Sequence, residues 1–306
     1  MSKEKERVQV LLSTYNGAKY IGPQLKSLAG QTYDNVFIRF RDDGSTDATV
    51  DILKNFIKSY PKADFTQGAN IGAVKSFFEL LKLSSEDSSY FAFCDQDDIW
   101  EKDKISRAVE HLNKFPQEKP ALYFCRLNIV DESLNHIAYS PIPSRKPSFE
   151  NALVENIATG ATVVINKAAR DLVLRRLPEN APIHDWWLYI AVSAFGEIVF
   201  DEKPLIKYRQ HGANAIGIKV GFLKQSFSRL KRFFSKGLKT ISLQAGDFYD
   251  IHGDRLNKSE RQTIEDFLFK RKNLCERIIY AFKMKVYRQA PMDNIILRIL
   301  IIFGRI

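Results

Sequence analysis

An apolar run that ends in three carboxylates is the feature that most constrains the fold of this chain. Residues 90–94 are apolar, and Asp95, Asp97 and Asp98 follow within four positions. A short apolar run with a polar boundary is typical of a buried strand, and open α/β sheets bind ligands beyond the carboxyl ends of their strands. Crowded carboxylates repel one another and need a positive partner. Because carboxylate oxygens favour Mg²⁺ or Mn²⁺, the segment predicts a divalent-cation site, with a solvated acidic turn as the alternative.

Strand and helix patterns alternate along the first part of the chain. The mostly apolar segments 8–12 and 36–40 predict two strands, and apolar positions at helical spacing follow each of them. Ser45 or Thr46 is predicted to cap the second helix. Further strands are predicted at residues 122–130 and 161–165. This alternation favours an α/β fold, with a mostly parallel central sheet flanked by helices.

Three of the predicted strands end in polar residues. These are Thr14, Tyr15 and Asn16 after the first strand, Asp42 and Asp43 after the second, and Asp95, Gln96, Asp97 and Asp98 after the apolar run. In a parallel sheet such ends lie side by side. A carboxylate and an aromatic ring can hold a nucleobase, while metal-binding carboxylates hold a diphosphate. The sequence therefore predicts a nucleotide-diphosphate site at this edge of the sheet.

Length and cysteine usage limit the class of protein. The 306 residues suffice for one large α/β domain or for a domain with a smaller appendage. Cys94, Cys125 and Cys275 are scattered and form no C-x-x-C pair, so neither a disulfide framework nor a zinc knuckle is indicated, and a reducing cytoplasm fits. We expect no signal peptide, because the charged N-terminus leads directly into a strand. No run reaches the roughly 18 apolar residues of a membrane span.

The excess positive charge lies in the C-terminal part of the chain. Residues 1–218 hold 27 Lys and Arg against 28 Asp and Glu, whereas residues 219–306 hold 19 against 8, so the tail supplies the net charge of +10. We predict an α/β domain at 1–218 and a basic amphipathic helical region at 219–306. Apolar and basic residues alternate at helical spacing over 222–239, and the same pattern recurs over 264–286.

The basic amphipathic pattern has three interpretations. Such a helix can lie in a lipid headgroup interface, which predicts peripheral contact with an anionic membrane surface. Packing of the helices on the core, or between the subunits of a homo-oligomer, is the alternative. Nucleic-acid binding is the third interpretation, but no nucleic-acid-binding motif is recognised, so no nucleic-acid partner is predicted.

The order of several short motifs resembles that of family 2 glycosyltransferases with the GT-A fold. The motifs are S-T-Y-N-G at 13–17, Q-T-Y at 31–33, D-D-G-S-T-D at 42–47, N-I-G at 70–72, D-Q-D-D-x-W at 95–100, T-G-A at 159–161 and H-D-W-W at 184–187. Each is weak alone, whereas seven in the family order are specific. The resemblance covers residues 8 to about 216. It implies a nucleotide-sugar donor, a Mn²⁺ or Mg²⁺ cofactor, and inversion at the anomeric carbon.

The resemblance also implies roles for individual residues. Those implied to bind the nucleotide are Thr14, Tyr15, Asn16, Asp43, Asn70, Asp95 and Gln96. Those implied to face the donor or acceptor sugar are Asp98, Trp100, His184, Trp186, Trp187 and Arg209. Asp97 is implied to ligate the metal, and His211 to complete the metal shell or touch the diphosphate. The alternatives are a structural role for His211, a surface salt bridge for Arg209, and an ordinary loop at Asn70.

Asp185 matches the family's catalytic base. An acceptor hydroxyl is a poor nucleophile, and a carboxylate within hydrogen-bond reach can take its proton as attack develops. The alternative is an acidic residue in the first turn of a helix, where it favours the helix dipole. Trp186 or Trp187 is expected to stack on a sugar face.

The sequence around Arg41, with the acidic motif and the motifs at 184–187 and 208–212, looks like the rhamnosyltransferase branch of the family. This branch implies dTDP-β-L-rhamnose as the donor. We expect a lipid-linked saccharide acceptor at the inner face of the cell membrane, in bacterial cell-surface polysaccharide synthesis. Another nucleotide sugar such as a UDP-hexose, a glycoside hydrolase, or a catalytically inactive membrane-bound assembly factor are the alternatives.

Overall fold

The computed structural model describes residues 5–211 and 239–306, and they form two compact units. In the described part of the chain, the first unit comprises residues 5–142, 158–175 and 196–211. The second takes in Pro143–Ile157, Arg176–Phe195 and the residues from 239 onward. Residues 222–238 of the predicted basic amphipathic segment lie outside the described residues. The predicted boundary between 218 and 219 stays a prediction.

Helices and strands alternate along most of the first unit and helices make up the second. In chain order they are β1 (Val8–Thr14), α1 (Ile21–Ala29), β2 (Val36–Asp42), α2 (Thr49–Ser59), β3 (Ala63–Gln67), α3 (Ala73–Lys82), β4 (Tyr90–Cys94), β5 (Ile99–Trp100), α4 (Lys104–Leu112), β6 (Ala121–Val130), β7 (His136–Tyr139), α5 (Phe149–Ala152), β8 (Val164–Asn166), α6 (Lys167–Leu174), α7 (His184–Phe195), β9 (Glu197–Arg209), α8 (Lys239–His252), α9 (Lys258–Phe269), α10 (Leu274–Lys283) and α11 (Pro291–Ile302).

The strands of the first unit form one mixed sheet in the order β3-β2-β1-β4-β8-β6-β9-β5, with β7 beside β6. The half made of β3, β2, β1 and β4 is parallel throughout. In its register Thr14 lies beside Asp42, and Leu12 lies beside Cys94. The prediction that these strand ends meet at one edge of the sheet is therefore confirmed, as is the predicted α/β fold class.

The other half of the sheet brings the end of β9 to the acidic loop that follows β4. Strand β9 runs parallel to β6, and the short strand β5 pairs antiparallel with β9. Ile99 lies opposite Lys207, and Trp100 lies opposite Ile206. Residues that follow this pairing on β9 consequently approach the loop that precedes β5.

The core of the first unit lies on both faces of the parallel strands. All five residues of β4 are buried, and β1 is buried at every position except Ser13. Strands that are covered on both faces read as continuous apolar runs, which is why β4 was recognisable from its sequence. Leu25 and Leu28 of α1 and Leu53 of α2 add to this core.

Two local predictions are wrong. Residues Gly160–Thr162 form a 3₁₀ turn, so the strand predicted at 161–165 begins only at Val164. Neither Ser45 nor Thr46 caps a helix, because α2 starts at Thr49 and Asp47 accepts the Thr49 N–H at 3.0 Å. Ser45 instead accepts the N–H of Asn16 at 2.9 Å, which ties the turn after β1 to the turn after β2.

The second unit has its own aromatic core. The ring of Trp187 on α7 lies 5.6 Å from that of Phe248 on α8, and both side chains are fully buried. Helix α9 begins with a capping box, in which Asn257 accepts the N–H of Glu260. Among the helices in the described ranges, none is both long enough and apolar enough to cross a bilayer.

Candidate functional site

Asp97, in the loop between β4 and β5, contacts His211, which follows β9. Oδ2 of Asp97 and Nε2 of His211 are 2.8 Å apart, and the two side chains are 16% and 7% exposed. The two residues are 114 positions apart in the chain. Their contact follows from the pairing of β5 with β9, which places the end of β9 against the acidic loop.

Asp98 is buried beside this contact. One of its carboxylate oxygens accepts the backbone N–H of Arg209 at 3.1 Å. The other, Oδ2, is buried without a hydrogen-bond partner among the described residues. Burial, followed by the neighbouring charges of Asp97 and Asp95, raises the pKa of Asp98 well above its usual range. Burial and the crowding of carboxylates in this loop therefore oppose ionisation of Asp98.

Arg209, the last residue of β9, packs against the acidic loop. Its side chain is almost fully buried, and its Nε donates to the carbonyl of Asp97 at 2.9 Å. The guanidinium also donates to the carbonyl of Glu132. These contacts hold the loop and the end of β9 together. Arg209 is therefore not the exposed surface residue that the alternative interpretation assumed.

Tyr20, which directly precedes α1, supports His211 and was not predicted. Its ring stacks on the imidazole with centroids 4.5 Å apart and an angle of 24° between the planes. The Arg209 guanidinium lies 5.1 Å from the same ring, and the Tyr20 hydroxyl donates to Oε1 of Glu132 at 2.8 Å. No sequence signal marked this residue, because it belongs to none of the motifs.

The side chains at this site fit a divalent cation that also has ligands from outside the protein. Among residues 5–211 and 239–306, no three His, Cys, Asp or Glu side chains are grouped closely enough to enclose an ion. Mg²⁺ usually takes one or two protein carboxylates together with waters and substrate phosphates. The Asp97–His211 contact and the unpaired oxygen of Asp98 match such a partial shell, which a bound diphosphate would complete.

Asp43, which directly follows β2, accepts hydrogen bonds from three donors, one on β2 and two in the loop before α3. Its carboxylate accepts from the Arg41 guanidinium at 2.5 Å and from the backbone N–H groups of Ile71 and Gly72, each at 2.9 Å. Asn70 Oδ1 accepts the same Gly72 N–H at 3.2 Å. The structure thus brings the predicted nucleotide residues Asp43 and Asn70 together.

The remaining predicted nucleotide residues lie at the ends of β1 and β4. Gln96 exchanges two hydrogen bonds of 3.0 Å with the backbone of Tyr15, whose ring is 48% exposed. Thr14 donates to Asp42 at 3.0 Å. Asn16 adopts a positive φ of 48°, in which its side chain accepts the Thr46 N–H at 2.8 Å. An exposed aromatic ring thus stands at the carboxyl edge of the parallel strands.

Trp100 is buried beneath the acidic loop. It is 3% exposed, and the ammonium of Lys104 lies 3.5 Å from the centroid of its ring. Lys104 is itself fully buried, and burial lowers its pKa to about 8. Because the Trp100 ring is covered, we leave it out of the proposed sugar contacts.

The predicted base Asp185 lies in the first turn of α7 in the second unit. It is 7% exposed, and Oδ1 accepts from the Asn156 side chain at 3.1 Å. Burial lowers the pKa of the preceding residue, His184, to about 3, so this imidazole is neutral at neutral pH. Trp186 is partly buried and donates to the Ala152 carbonyl at 2.7 Å. Trp187 belongs to the core and we assign it no sugar contact.

Sequence comparisons identify relatives over most of the chain. The model of the family described as "Glycosyl transferase family 2" matches residues 9–176. The dTDP-rhamnosyl transferase RfbG of Shigella flexneri is 34% identical over 238 residues, which cover 72% of this chain and 78% of that protein. An uncharacterized glycosyltransferase of Haemophilus influenzae is 25% identical over 237 residues, which cover 74% and 72% of the two chains.

A solved structure shares the fold. The crystal structure of residues 1–349 of Staphylococcus aureus TarS in complex with UDP-GlcNAc matches with a TM-score of 0.62 and 16% identity. The match covers 97% of this chain and 81% of the TarS chain. At this identity the likeness establishes the fold alone.

Proposed function

This chain belongs to glycosyl transferase family 2, and from that premise we propose that it transfers an L-rhamnosyl group from dTDP-β-L-rhamnose to a saccharide acceptor. The observation that carries the proposal is the convergence of Asp97 and Asp98 with Arg209 and His211 beside the ends of three parallel strands. Open α/β sheets bind nucleotides at such an edge. The family implies a nucleotide-sugar donor.

The choice of rhamnose is supported by sequence similarity. RfbG, which carries the name of a dTDP-rhamnosyl transferase, is 34% identical over most of both chains. Arg41, which we associated with the rhamnosyltransferase branch, contributes to the Asp43 cluster by an ion pair between almost fully buried side chains. We propose that this cluster and the ring of Tyr15 hold the nucleoside part of the donor.

We propose that Asp97 and His211 hold a Mn²⁺ or Mg²⁺ ion together with the donor diphosphate. A bound divalent cation supplies positive charge that stabilises the departing diphosphate. Asp95, at the start of the same loop, is assigned to the ribose or diphosphate, and the buried carboxylate of Asp98 faces the donor sugar. Arg209 keeps the loop in place through its bonds to Asp97 and Glu132.

Asp185 is proposed as the general base. It accepts the proton of the acceptor hydroxyl while the oxygen attacks the anomeric carbon, and the leaving diphosphate departs from the opposite face, which inverts the configuration. The Asn156 amide orients the carboxylate by donating to Oδ1. The exposed part of Trp186 is proposed to contact the acceptor sugar, whereas His184 is buried and is assigned no sugar contact.

The acceptor is proposed to be a lipid-linked saccharide at the cytoplasmic face of the cell membrane, in bacterial cell-surface polysaccharide synthesis. The excess of 11 positive charges in residues 219–306 supports attachment of the protein to an anionic membrane. Such attachment brings a peripheral enzyme to acceptors that do not leave the bilayer.

A donor screen tests the proposal. Purified full-length protein with Mn²⁺ is incubated with dTDP-β-L-rhamnose, UDP-glucose or UDP-GlcNAc and a panel of lipid-linked acceptors, and products are identified by mass. We expect a mass increase of one deoxyhexose with the first donor and faster donor consumption than with either UDP-sugar. Equal or reversed preference would remove the rhamnosyl assignment and leave the family membership intact.

A further inference from the structure

Large apolar side chains are concentrated on the surface of α10 and α11. Among the described residues, nine of the sixteen exposed large hydrophobic side chains fall between 269 and 303. They are Phe269, Leu274, Ile278, Ile279, Phe282, Met292, Ile295, Ile299 and Phe303. Phe282 and Phe303 are the most exposed, at 78% and 71%. Single exposed apolar residues are normal in soluble proteins, whereas a concentration of this kind marks an interaction surface.

The spacing of these residues places them on continuous helix faces. Leu274, Ile278 and Phe282 recur every four residues on α10 and therefore share one face. On α11, Ile295 and Ile299 repeat the same spacing. The two helices pack against each other, and the residues they bury are different ones: Tyr280, Ala281, Leu297, Leu300 and Ile301. The exposed stripes are therefore apolar faces that packing within the second unit does not bury. We call them, with their flanking lysines, the α10–α11 surface.

The segment that carries the apolar stripes has an excess of positive charge. Residues 269–306 hold nine Lys and Arg against two Asp and Glu, a net charge of +7. Lys272, Lys283 and Lys285 are exposed, and none forms an ion pair with another described residue. With Lys270 they edge a cavity of about 440 Å³ whose lining includes Phe269 and Ile279. Apolar side chains and unpaired ammonium groups therefore occupy one region.

We infer that the α10–α11 surface docks the protein on an anionic phospholipid bilayer, with its apolar side chains among the acyl chains and its lysines on the headgroup phosphates. This assignment rests on the membrane contact proposed above and names the part of the chain that makes it. A membrane helix of this kind needs an apolar face and basic flanks, and both are present. Two copies of this surface would bring like charges together, which disfavours self-association.

Vesicle flotation tests the assignment with the full-length protein. The vesicles are pure phosphatidylcholine or an equimolar mixture of phosphatidylcholine and phosphatidylglycerol. Phe282→Glu places a charge on the most exposed apolar position, and the double variant Lys283→Glu/Lys285→Glu reverses the flanking charge. Leu83→Glu is the matched control, because Leu83 is an exposed apolar residue, 43% exposed, that follows α3 in the first unit.

We expect the wild type to float with the mixed vesicles and much less with pure phosphatidylcholine. Phe282→Glu should lower the partition coefficient by about tenfold or more, since it removes a large apolar side chain from the lipid. The double variant should lower it by at least about tenfold on mixed vesicles only. The Leu83→Glu variant should bind as the wild type does, and all variants should consume the donor in solution at the wild-type rate.

The contrary outcomes separate this inference from the proposed function. If the wild type floats with mixed vesicles and both α10–α11 variants float equally well, the surface assignment is wrong and the membrane contact stands. If the wild type floats with neither vesicle, both are wrong. If vesicle binding is unchanged and light scattering shows that Phe282→Glu dissociates an oligomer, the surface binds a second copy of the chain instead.

Discussion

The aromatic ring of Tyr20 stacks on the imidazole of His211 while the Nε2 atom of that imidazole faces Asp97 at 2.8 Å. Aromatic contacts of this kind contribute about 0.5–1.5 kcal/mol and fix the plane of the ring. Groups that orient a metal ligand typically change metal affinity by about 10- to 100-fold when they are removed. Tyr20 is thus the residue expected to set the direction in which His211 presents its nitrogen.

Tyr20→Ala should therefore weaken binding of Mn²⁺ in the presence of dTDP by about tenfold, because the imidazole loses its support. Tyr20→Phe keeps the ring and loses only the hydrogen bond to Glu132, so it should remain within about threefold of the wild type. Electron paramagnetic resonance of free Mn²⁺ measures both. Tyr139→Ala, at an exposed tyrosine on β7, is the control. Equal affinity for Tyr20→Ala and the wild type would show that His211 needs no such support.

Asp185→Asn should reduce sugar transfer by about 10²- to 10⁴-fold, because an amide cannot take the acceptor proton. The asparagine side chain keeps the shape of aspartate and retains an oxygen that can accept from Asn156, so the fold should be preserved. Isothermal titration with dTDP should give an unchanged affinity. A variant that loses both transfer and nucleotide binding would point to a structural role for Asp185.

Acidification should destabilise the protein through His184. Burial lowers the pKa of His184 from its ordinary 6.5 to about 3, so between these values the unfolded state binds the proton and the folded state does not. The contribution of His184 to the free energy of unfolding is fully present above pH 6.5. It decreases as the pH falls toward 3, by about 3 kcal/mol between pH 7 and 4.

The measurement is urea unfolding of wild type and His184→Gln across this pH range. Other groups also titrate, so the difference between the two curves is what reports His184. The wild type should lose about 3 kcal/mol more than the variant between pH 7 and 4. Parallel curves would mean that the buried imidazole is not kept neutral by the fold.

Replacing Lys104 should stabilise the fold at neutral pH. Burial lowers the pKa of its ammonium from 10.5 to about 8, and no described residue accepts a hydrogen bond from it. Between pH 8 and 10.5 the unfolded state binds the proton more tightly, so wild-type stability rises with pH over this range. Lys104→Met removes the buried charge at similar volume.

Urea unfolding at pH 7 should therefore show Lys104→Met to be more stable than the wild type by up to about 3 kcal/mol. The difference should shrink as the pH approaches 10.5. A variant that is less stable than the wild type at every pH would indicate that the ammonium above Trp100 is a net stabilising contact.

The parallel half of the sheet was predictable because its signals are local. Strand β4 is buried at all five positions and so reads as an apolar run, and the polar residues at the ends of β1, β2 and β4 follow directly in the sequence. Strand β9 was not predicted. Its place depends on pairing with β5 and β6, which lie far away in the chain, and no local pattern encodes that pairing.

The same distinction applies to the site residues. Family motifs pointed to Arg209 and His211, but only the fold places them on Asp97. Burial of Trp100 and Trp187 depends on tertiary packing, so the motifs could not tell a stacking surface from a core residue. Tyr20 escaped notice because its role arises from a contact with a residue 191 positions later.

The pairing of β5 with β9 also decides how this protein can be shortened for study. A recombinant fragment that ended at residue 176, where the family match stops, would lack Leu205, Ile206 and Lys207. In such a fragment β5 would lack its pairing partner, and the Asp97 loop would lose its contacts with Arg209 and His211. Any excised catalytic piece should therefore extend beyond residue 211, or the missing strand should be supplied as a separate peptide.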